Sequence, residues 1–397
     1  MDILNGGLVT NNSIRLIQIE RQKFVTTSGW GVFFDLFSNS ACSVEKIHAC
    51  HNEIGDDGAI SLGDSFVTNS RIKRLNLNSS RSITQVGWQG FSKGLRSPNC
   101  SLLELDIARC GINDEGALAV ASALVGNTSL EILNMSDNWR ISSSGWIDYF
   151  YIMRQDEIRL AELNLSNNNI DDLGVTMLAT ILVKMSALDS FCLCRMTSVS
   201  SDGWREFADV VNPIISSSKL RVLELGGGVS PPPEIDASVI SGFAYALIGN
   251  TSLSEFYFGG YELSGADRRA MVNALCDKSS PNKTFGSNHT LISFSYHRFY
   301  WDNTDEYKDL RSSLVMNGRC KNKARVAREK ILAIHLGDDS ACVRIFAPMP
   351  TPMLPTALSW IGRYRKEYSM MYHLLHSMPH AMATRVSEHI ICTRTSE

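Results

Sequence analysis

One short apolar pattern recurs along most of the chain. It reads L-x-x-L-x-L, with Ile, Val, Phe, Met, Ala or Tyr allowed in place of Leu, and it occurs ten times. Successive copies start 30, 28, 30, 28, 30, 28, 32, 33 and 38 residues apart. Their first residues are Ile14, Val44, Ile72, Leu102, Leu130, Leu160, Leu188, Leu220, Leu253 and Leu291. A unit this short cannot bury its apolar residues alone, so the pattern predicts stacked repeats that share one core.

The alternation of 30 and 28 residues defines a double repeat of 58 residues. A Gly-Trp dipeptide recurs at this interval, at Gly29-Trp30, Gly87-Trp88, Gly145-Trp146 and Gly203-Trp204. The units between them carry a lone glycine at the same interval, at Gly58, Gly116 and Gly174. The repeat therefore consists of two alternating types of unit.

The second half of each unit has the spacing of an amphipathic helix. Ala117, Val120, Ala121 and Leu124 are spaced i, i+3, i+4 and i+7, which places them on one helix face. The same template fits other units, through Val175, Leu178, Ala179 and Leu182, through Ala59, Leu62, Gly63 and Phe66, and through the aromatic sets Trp30, Phe33, Phe34, Phe37 and Trp146, Tyr149, Phe150, Met153. We interpret the aromatic stripe as core and not as a cofactor site.

Helix-capping residue types lie two positions before most of these glycines. They are Thr27, Asp56, Asp114, Ser143, Asp172 and Ser201, whereas Gln85 departs from the rule. Such side chains accept hydrogen bonds from the first free amides of a helix, so we predict them to be N-caps. Acidic pairs such as Asp114-Glu115 resemble a catalytic carboxylate pair, but their recurrence wherever a helix begins favours capping.

A short strand, a turn and a helix in 28 to 33 residues resemble the leucine-rich repeat family, and the unit length resembles its ribonuclease-inhibitor-like subclass. Residues 103–124 match best, and Cys110, Asn138 and Asn168 occupy the Asn/Cys position of the family pattern. The resemblance covers about residues 12 to 318 and implies an α/β fold: a curved solenoid of about ten strand-helix units, with a parallel sheet inside and helices outside. The phrases GNTSL and GSNHTL are also similar to those of repeat families in diatoms and related algae.

The period breaks at two places. The segment Leu124 to Leu130 matches Leu247 to Leu253 at an interval of 123 residues instead of 116, and the extra residues lie near Asn212 and in a Gly- and Pro-rich loop at 226–233. A second excursion spans 276–288. Insertions in solenoids often lie on the binding side. For the Pro-rich loop, a contact role and tolerated surface drift are both possible interpretations.

Side chains alternate along a strand, so the third, fifth and seventh positions of each pattern should point away from the core. We call this surface the inner face; it is the concave side of the expected solenoid. Its central ladder is Gln18, His48, Asn76, Asp106, Asn134, Asn164, Cys192, Glu224, Tyr257 and Ser295. From the fourth unit onward it is mildly acidic, which favours a partner with basic groups. The candidate binding residues are Glu104, Asp106, Asn134, Glu162, Asn164, Glu224, Glu255 and Tyr257.

Composition narrows the class of protein. The formal net charge is −3, without the basic excess of most nucleic-acid binders, so we expect no nucleic-acid partner. The sequence has no run of 18 apolar residues, so we expect no membrane span, and no secretory signal is visible.

The 10 Cys are scattered and indicate reduced thiols, so we expect a cytoplasmic protein, with the nucleus as the alternative. Two of them, Cys192 and Cys194, share the inner face but are too few for a metal site. The sequons, such as Asn127-Thr128-Ser129, are interpreted as by-products of a repeated turn and not as glycan sites.

Residues 319–397 lie beyond the repeats and carry 12 Lys+Arg against 6 Asp+Glu. Ala324, Ala327, Ile331 and Ile334 have helical spacing, and further helices are predicted at 354–361 and 368–378. We interpret this segment as a basic helical C-terminal cap of the array; a docking surface for an anionic partner and a nuclear import signal are alternatives. A metal site at His373, His376 and His380 is disfavoured, because Pro379 interrupts the helix.

No phosphate-binding glycine loop, nucleophile elbow or H-E-x-x-H helix occurs in the sequence, so we expect no enzyme and no cofactor. The leading hypothesis is a non-catalytic scaffold that binds a protein partner through the inner face. One alternative is a small-GTPase regulator, through resemblance to the repeat-built activators of Ran, whose acidic C-terminal tail this basic C-terminus does not match. A second is an enzyme inhibitor that blocks an active site, as the ribonuclease inhibitor does.

Overall fold

The computed structural model describes residues 7, 11, 13–155, 158–212, 219–226, 236–259, 263–295 and 304–335. Every predicted unit contains a strand at the third to fifth positions of its apolar pattern. The strands are β1 (Leu16–Gln18), β2 (Lys46–His48), β3 (Arg74–Asn76), β4 (Glu104–Asp106), β5 (Ile132–Asn134), β6 (Glu162–Asn164), β7 (Ser190–Cys194), β8 (Val222–Gly226), β9 (Glu255–Gly259) and β10 (Ser293–Ser295).

The helices follow the strands as the amphipathic pattern predicts. They are α1 (Thr27–Asp35), α2 (Gly55–Thr68), α3 (Gln85–Leu95), α4 (Asp114–Leu124), α5 (Ser143–Met153), α6 (Asp172–Leu182), α7 (Ser201–Phe207), α8 (Ala237–Leu247), α9 (Gly265–Cys276), α10 (Pro281–Gly286), α11 (Asp305–Gly318) and α12 (Lys323–His335). Single 3-10 turns extend α1 and α7. No helix in these described stretches is both long and apolar enough to cross a membrane.

All ten strands form one parallel sheet, in the order in which they occur in the chain. The register joins equivalent positions of successive units: Leu75 lies beside Ile47 on one side and Leu105 on the other. These middle residues are buried, while the residues before and after them in each strand are partly exposed on the opposite face. The predicted α/β solenoid of strand-helix units is therefore confirmed.

The chain divides into two compact units. Unit one comprises residues 1–243, 252–262 and 293–300 and contains the whole sheet with α1 to α7. Unit two comprises 244–251, 263–292 and 301–397, and its described helices are α9 to α12. The predicted boundary between the repeats and the C-terminal segment, at residue 318, stays a prediction.

The four Gly-Trp units are equivalent in three dimensions. Trp30, Trp88, Trp146 and Trp204 lie at the same position of α1, α3, α5 and α7, and each is at most 1% exposed. Most rings of the aromatic stripe pack on their neighbours within a helix; the Trp146 and Phe150 rings stack with centroids 5.6 Å apart. The core interpretation of the stripe is correct.

The predicted N-caps are wrong: five lie one residue after the true cap, and Asp56 lies two residues after Ile54, which has no side-chain cap bond. The hydroxyl of Ser142, not Ser143, accepts the amide hydrogen of Gly145, and the carboxylate of Asp171 accepts that of Gly174. The N-caps of α1, α3, α4, α5, α6 and α7 are Thr26, Thr84, Asn113, Ser142, Asp171 and Ser200. The predicted residues other than Asp56 each occupy the first turn directly after a cap. In these units two adjacent residues are both of a capping type, so the sequence does not show which of the two is the N-cap.

The aspartates in these first turns reach the next unit instead. Asp114 accepts the amide and the hydroxyl hydrogens of Ser142, each at 2.7 Å. Asp56 bonds in the same way to Thr84, and Asp172 to Ser200. This contact, which we call the aspartate hook, joins each lone-glycine unit to the Gly-Trp unit that follows it. It accounts physically for the 58-residue period.

The glycine of the Gly-Trp dipeptide makes room for the hook. A Cβ atom placed on Gly145 would collide with the carboxylate of Asp114, and one on Gly87 or Gly203 would meet the equivalent aspartate oxygen. Gly29 begins the series, and its Cβ would lie 3.2 Å from Thr26 and Val25 of its own unit. In three of the four copies, the aspartate of the preceding unit therefore requires glycine at the first position of the dipeptide.

The Asn/Cys position binds the backbone of neighbouring turns, as the resemblance implies. The side-chain amide of Asn138 donates to the carbonyls of Ile107 and Met135, both at 3.0 Å. Its carbonyl accepts the amide hydrogen of Ile112, while Cys110 donates its thiol hydrogen to Leu77 at 3.2 Å. These buried contacts tie consecutive turns together.

A second asparagine series connects helix ends and supports the turn interpretation of the sequons. The amide nitrogen of Asn127 donates to the Leu95 carbonyl at 2.6 Å, and its oxygen accepts the amide hydrogen of Leu130 at 2.8 Å. Asn288 is fully buried and donates to Leu247 and Asn250. The nitrogen that a glycan would require is thus engaged in packing at both positions.

In unit two, the helix predicted around Ala327 and Ile331 is present as α12, and both side chains are buried. The excursion at 276–288 contains α10, which packs on α12; Thr284 and His335 are hydrogen-bonded at 2.8 Å. That excursion has a packing role inside this unit. The predicted helices at 354–361 and 368–378, and His373, His376 and His380, lie outside the described residues.

Candidate functional site

The inner face consists of two parallel rows of side chains, one from the first residue and one from the third residue of each strand. Register places Glu104 between Arg74 and Ile132, and Asp106 between Asn76 and Asn134. Neighbouring strands in a sheet are about 4.8 Å apart, so side chains in a row lie within reach of the same ligand group. All eight predicted site residues lie on these two rows.

The middle of the inner face has a shallow depression of about 390 Å³. It spans β2 to β7, and its polar lining consists of His48, Arg74, Asn76, Glu104, Asp106, Asn134, Glu162, Asn164, Ser190 and Cys192. Five of the eight predicted residues belong to this lining. Glu224, Glu255 and Tyr257 lie outside it on β8 and β9, where the Tyr257 hydroxyl donates to Glu255 at 2.9 Å.

Several ladder residues also fix the backbone, a role that strand alternation alone does not predict. The side-chain oxygens of Asn76, Asp106, Asn134 and Asn164 each accept the amide hydrogen two residues further on, at 2.9 to 3.1 Å. Asn and Asp are favoured for this bond in turns, so their recurrence at strand ends was a usable signal. One oxygen of each therefore has a structural role, and the remaining polar atoms are available to a ligand.

The charge of the face is less acidic than the sequence rows suggest. Arg74 forms an ion pair with Glu104 at 3.0 Å. At the far end, Arg221, the residue just before β8, contacts Asp189 at 3.0 Å and Glu255 at 3.5 Å. Within the described part of the chain, Asp106, Glu162 and Glu224 have no Lys, Arg or His nitrogen within ion-pair distance. These three carboxylates hold the uncompensated negative charge.

Asp106 is a partly buried carboxylate in the lining of the depression. Burial raises the pKa of its carboxyl, and hydrogen bonds from Ala108, Asn134 and Asn78 lower it again. Desolvation thus outweighs the local donors. A cation placed beside Asp106 would favour the ionised form, so this position gains more from a basic ligand than a fully solvated carboxylate does.

Ile132 supplies an apolar spot between two acidic side chains. It is half-buried in the first row, with Glu104 on one neighbouring strand and Glu162 on the other. Long basic side chains bury their methylene stems on apolar surface and keep the charged head at a polar rim. The arrangement can therefore accept a lysine or arginine side chain, with Ile132 below its stem and carboxylates near its head.

Cys192 and Cys194 are poor candidates for redox or metal chemistry. Burial, followed by the negative charge of Glu224, raises the pKa of both thiols, that of Cys194 to about 11. A thiol is a nucleophile and a metal ligand only as its thiolate. No group of three His, Cys, Asp or Glu side chains suited to a metal ion occurs among the described residues.

The Pro-rich loop that interrupts the repeat after β8 lies outside the described residues from 227 to 235, as does 213–218. A contact role for it stays a prediction.

Comparison with known proteins is consistent with the repeats. A family model described as "Leucine Rich repeat" matches residues 51–63, 99–121, 126–146 and 160–179. A human "NACHT, LRR and PYD domains-containing protein 5" is 30% identical over 178 residues, which is 45% of this chain and 14% of that protein. A Caenorhabditis briggsae "Protein phosphatase 1 regulatory subunit 37 homolog" is 24% identical over 44% of this chain and 22% of that protein. The matched segments thus span less than a quarter of these relatives.

Among solved structures, the leucine-rich repeat-containing protein LegL7 from Legionella pneumophila is 15% identical and covers 78% of this chain and 99% of that chain, with a TM-score of 0.44.

Proposed function

Because this chain is a leucine-rich repeat protein, we propose that it is a non-catalytic scaffold that binds a protein partner through the depression of the inner face. The observation that carries the proposal is the position of Ile132 between Glu104 and Glu162, with Asp106 in the adjoining row. The partner would insert a basic side chain there. We also propose a cytoplasmic location for this interaction, because the 10 Cys are scattered along the sequence without regular spacing.

The rigidity of the face supports a binding role. Each strand is paired on both sides from β2 to β9, and the ladder side chains are held by bonds to their own backbone. Association costs free energy when loops and side chains become ordered, so a face that is already ordered loses less. A repeat surface of this kind can also provide the roughly 1,600 Å² of a standard interface.

The test uses substitutions that the repeat itself provides. In the variant Asp106→Asn, Glu162→Lys, Glu224→Gln, each new side chain is the one found at the equivalent position of another unit, in Asn134, Lys46 and Gln18. The stack is therefore expected to fold normally, while the charge of the face is reversed. The control variant Asp64→Lys, Asp148→Lys, Asp209→Lys changes exposed acidic residues on the helices.

Proteins captured by the wild-type chain from a cell extract would be compared by mass spectrometry with those captured by each variant. We expect a defined partner to be retained by the control variant and lost, by about tenfold or more, from the inner-face variant. Equal capture by wild type and inner-face variant would contradict the assignment of the binding site.

The small-GTPase regulator stays an alternative proposal. It predicts that the purified chain accelerates GTP hydrolysis by at least one of a panel of small GTPases. The scaffold proposal expects unchanged hydrolysis rates throughout the panel.

A further inference from the structure

The turns that leave the sheet carry an unusual choice of residues. In each of units one to seven, the residue three positions after that unit's central-ladder residue has a left-handed backbone, with φ between 56° and 64°. These residues are Arg21, His51, Ser79, Arg109, Asp137, Asn167 and Arg195. Residues other than Gly, Asn and Asp rarely adopt this backbone conformation, yet arginine occurs here three times. Local backbone preference therefore does not explain the arginines.

Further cations and an aromatic ring lie on the same turns. Arg81 follows β3, and Trp139 and Arg140 follow β5; all three are exposed, Trp139 by 57%. The Arg140 guanidinium lies 5.4 Å from the centre of the Trp139 ring. We call this row, consisting of Arg21, Arg81, Arg109, Trp139, Arg140 and Arg195, the basic edge.

Most of the cations on the basic edge have no anionic partner among the residues that the structure describes. Arg109 lies 3.5 Å from Asp137. For the other four arginines, no carboxylate among the described residues lies within ion-pair distance. These four guanidinium groups are exposed to solvent, and they lie beside an inner face whose net charge is negative.

We propose that the basic edge binds an extended acidic segment of a partner protein, separately from the inner face. The cations extend from the first to the seventh unit, which is six strand spacings or roughly 29 Å. An extended chain covers that length in about nine residues. Alternate carboxylates of such a segment point to one side and can meet the arginines, while the exposed Trp139 ring packs on its aliphatic parts.

A protein segment fits this row better than a nucleic acid strand. Glu20, Glu53 and the paired Asp137 interrupt the cations on the same turns, and Asp106 lies three residues before Arg109. A nucleic acid carries a negative charge at every nucleotide and would place some phosphates beside these carboxylates. A peptide can leave neutral residues at those points.

The test is fluorescence anisotropy of the full chain with a labelled nine-residue peptide of alternating Glu and Gly, at low and physiological salt. The edge variant Arg81→Thr, Arg140→Ser, Arg195→Asn uses the residues of equivalent turns, Thr197, Ser198 and Asn167. The control variant Lys93→Asn, Arg96→Ser, Arg154→Ser removes three exposed cations from helix ends. Circular dichroism verifies that each variant is folded.

We expect the wild-type chain and the control variant to bind the peptide within about twofold of each other, and the edge variant to bind at least about tenfold more weakly. Affinity should fall as salt rises. The absence of binding by the wild-type chain, or equal losses in both variants, would overturn the proposal. Tighter binding of a nine-nucleotide oligothymidine, lost in the edge variant, would reassign the row to nucleic acid. Because the inner face is unchanged in the edge variant, the outcome is independent of the scaffold proposal.

Discussion

Asp114 holds the cap residue of a helix to which it does not belong: its two carboxylate oxygens accept the amide and hydroxyl hydrogens of Ser142, both at 2.7 Å, across 28 residues of sequence. Ser142 in turn caps α5 through Gly145. The two bonds form a chain from one unit to the first turn of the next. Charge-assisted hydrogen bonds of this type are about twice as strong as neutral ones.

The first prediction is that Asp114→Ala destabilises the chain by about 1–2 kcal/mol, because two donors at the start of α5 lose their acceptor. Asp114→Asn should cost less, since its amide oxygen can still accept one hydrogen bond. The midpoint of urea unfolding measures both effects. Asp148→Ala, which removes an exposed carboxylate from α5, serves as the control. A midpoint for Asp114→Ala equal to that of the control would show that the hook contributes nothing.

The second prediction concerns the glycines of the Gly-Trp dipeptides. Replacing a helical glycine with alanine usually stabilises a helix by about 1 kcal/mol. We expect the opposite sign for Gly145→Ala, because its Cβ would occupy the space of the Asp114 carboxylate. Gly29→Ala, which no aspartate approaches, should be close to neutral.

A double-mutant cycle makes this test specific. Asp114→Ala combined with Gly145→Ala should cost less than the sum of the two single substitutions, since the collision disappears with the carboxylate. Additive losses, measured by the same urea midpoints, would show that Gly145 is constrained by something other than the hook.

The third prediction is a loss of stability in acid. His289 is 9% exposed, and burial together with the charge of Lys330 lowers its pKa to about 4. Between pH 6.5 and 4 the unfolded chain binds a proton at this residue that the folded chain does not. The free energy of unfolding therefore falls as the pH drops through this window, by up to about 3 kcal/mol.

The variant His289→Gln keeps a donor for the Phe285 carbonyl but cannot titrate. Its unfolding midpoint should depend less on pH between 6.5 and 4 than that of the wild-type chain. Identical slopes would show that other groups cause the acid sensitivity.

Lys330 gives the fourth prediction, at the alkaline side. The side chain is fully buried, and its ammonium group donates to the Leu275 carbonyl at 2.6 Å, at the end of α9, and to Asn288 at 3.1 Å. Burial lowers its pKa to about 8. Because the unfolded chain binds this proton more tightly, stability should rise between pH 8 and about 10. This change in stability can be measured by hydrogen exchange of α9, α10 and α12 over the same pH range, in the wild-type chain and in Lys330→Met. If Lys330→Met showed the same pH response, Lys330 would not be the group responsible.

A fifth prediction follows from the thiols of the inner face. Cys192 should react slowly with iodoacetamide at neutral pH, because burial and Glu224 both raise its pKa. Glu224→Gln removes the carboxylate and should accelerate alkylation of Cys192 several-fold, as judged by peptide mass spectrometry. An unchanged rate would show that burial alone protects the thiol.

The periodic parts of the fold follow directly from the sequence. Leu105, Leu133 and Leu163 mark the strands, and Trp88 and Trp146 mark equivalent helix positions, because burial against a neighbour requires the same residue type at the same step. The pattern holds even in weak copies. Periodicity reports on contacts that recur within every unit, and these were predicted correctly.

Contacts between units were harder to predict. The side chains of Asn113 and Asp114 are both capable of capping α4, and the sequence does not say which one turns towards the next unit. The regular spacing of Asp56, Asp114 and Asp172 relative to the following glycines is visible in the sequence. That these aspartates bind the next unit is visible only in the structure. Similarly, Arg221 neutralises part of the face from a position that lies just outside the alternating pattern.

The eight candidate site residues illustrate the same limit. Alternation along strands places Glu104 and Asp106 on the open side, but it does not show that Arg74 pairs with one of them or that the other accepts a bond from Ala108. Which carboxylates remain free for a ligand depends on neighbours in adjacent strands. That information is absent from any single repeat.

The aspartate hook also has a consequence for how such a chain can change in length. Its donor and acceptor belong to different unit types, so deleting one unit would place two units of the same type side by side, leaving an aspartate without its serine or a serine without its aspartate. Within the second to seventh units, gene duplications or losses that preserve every hook must therefore occur in pairs, in steps of 58 residues.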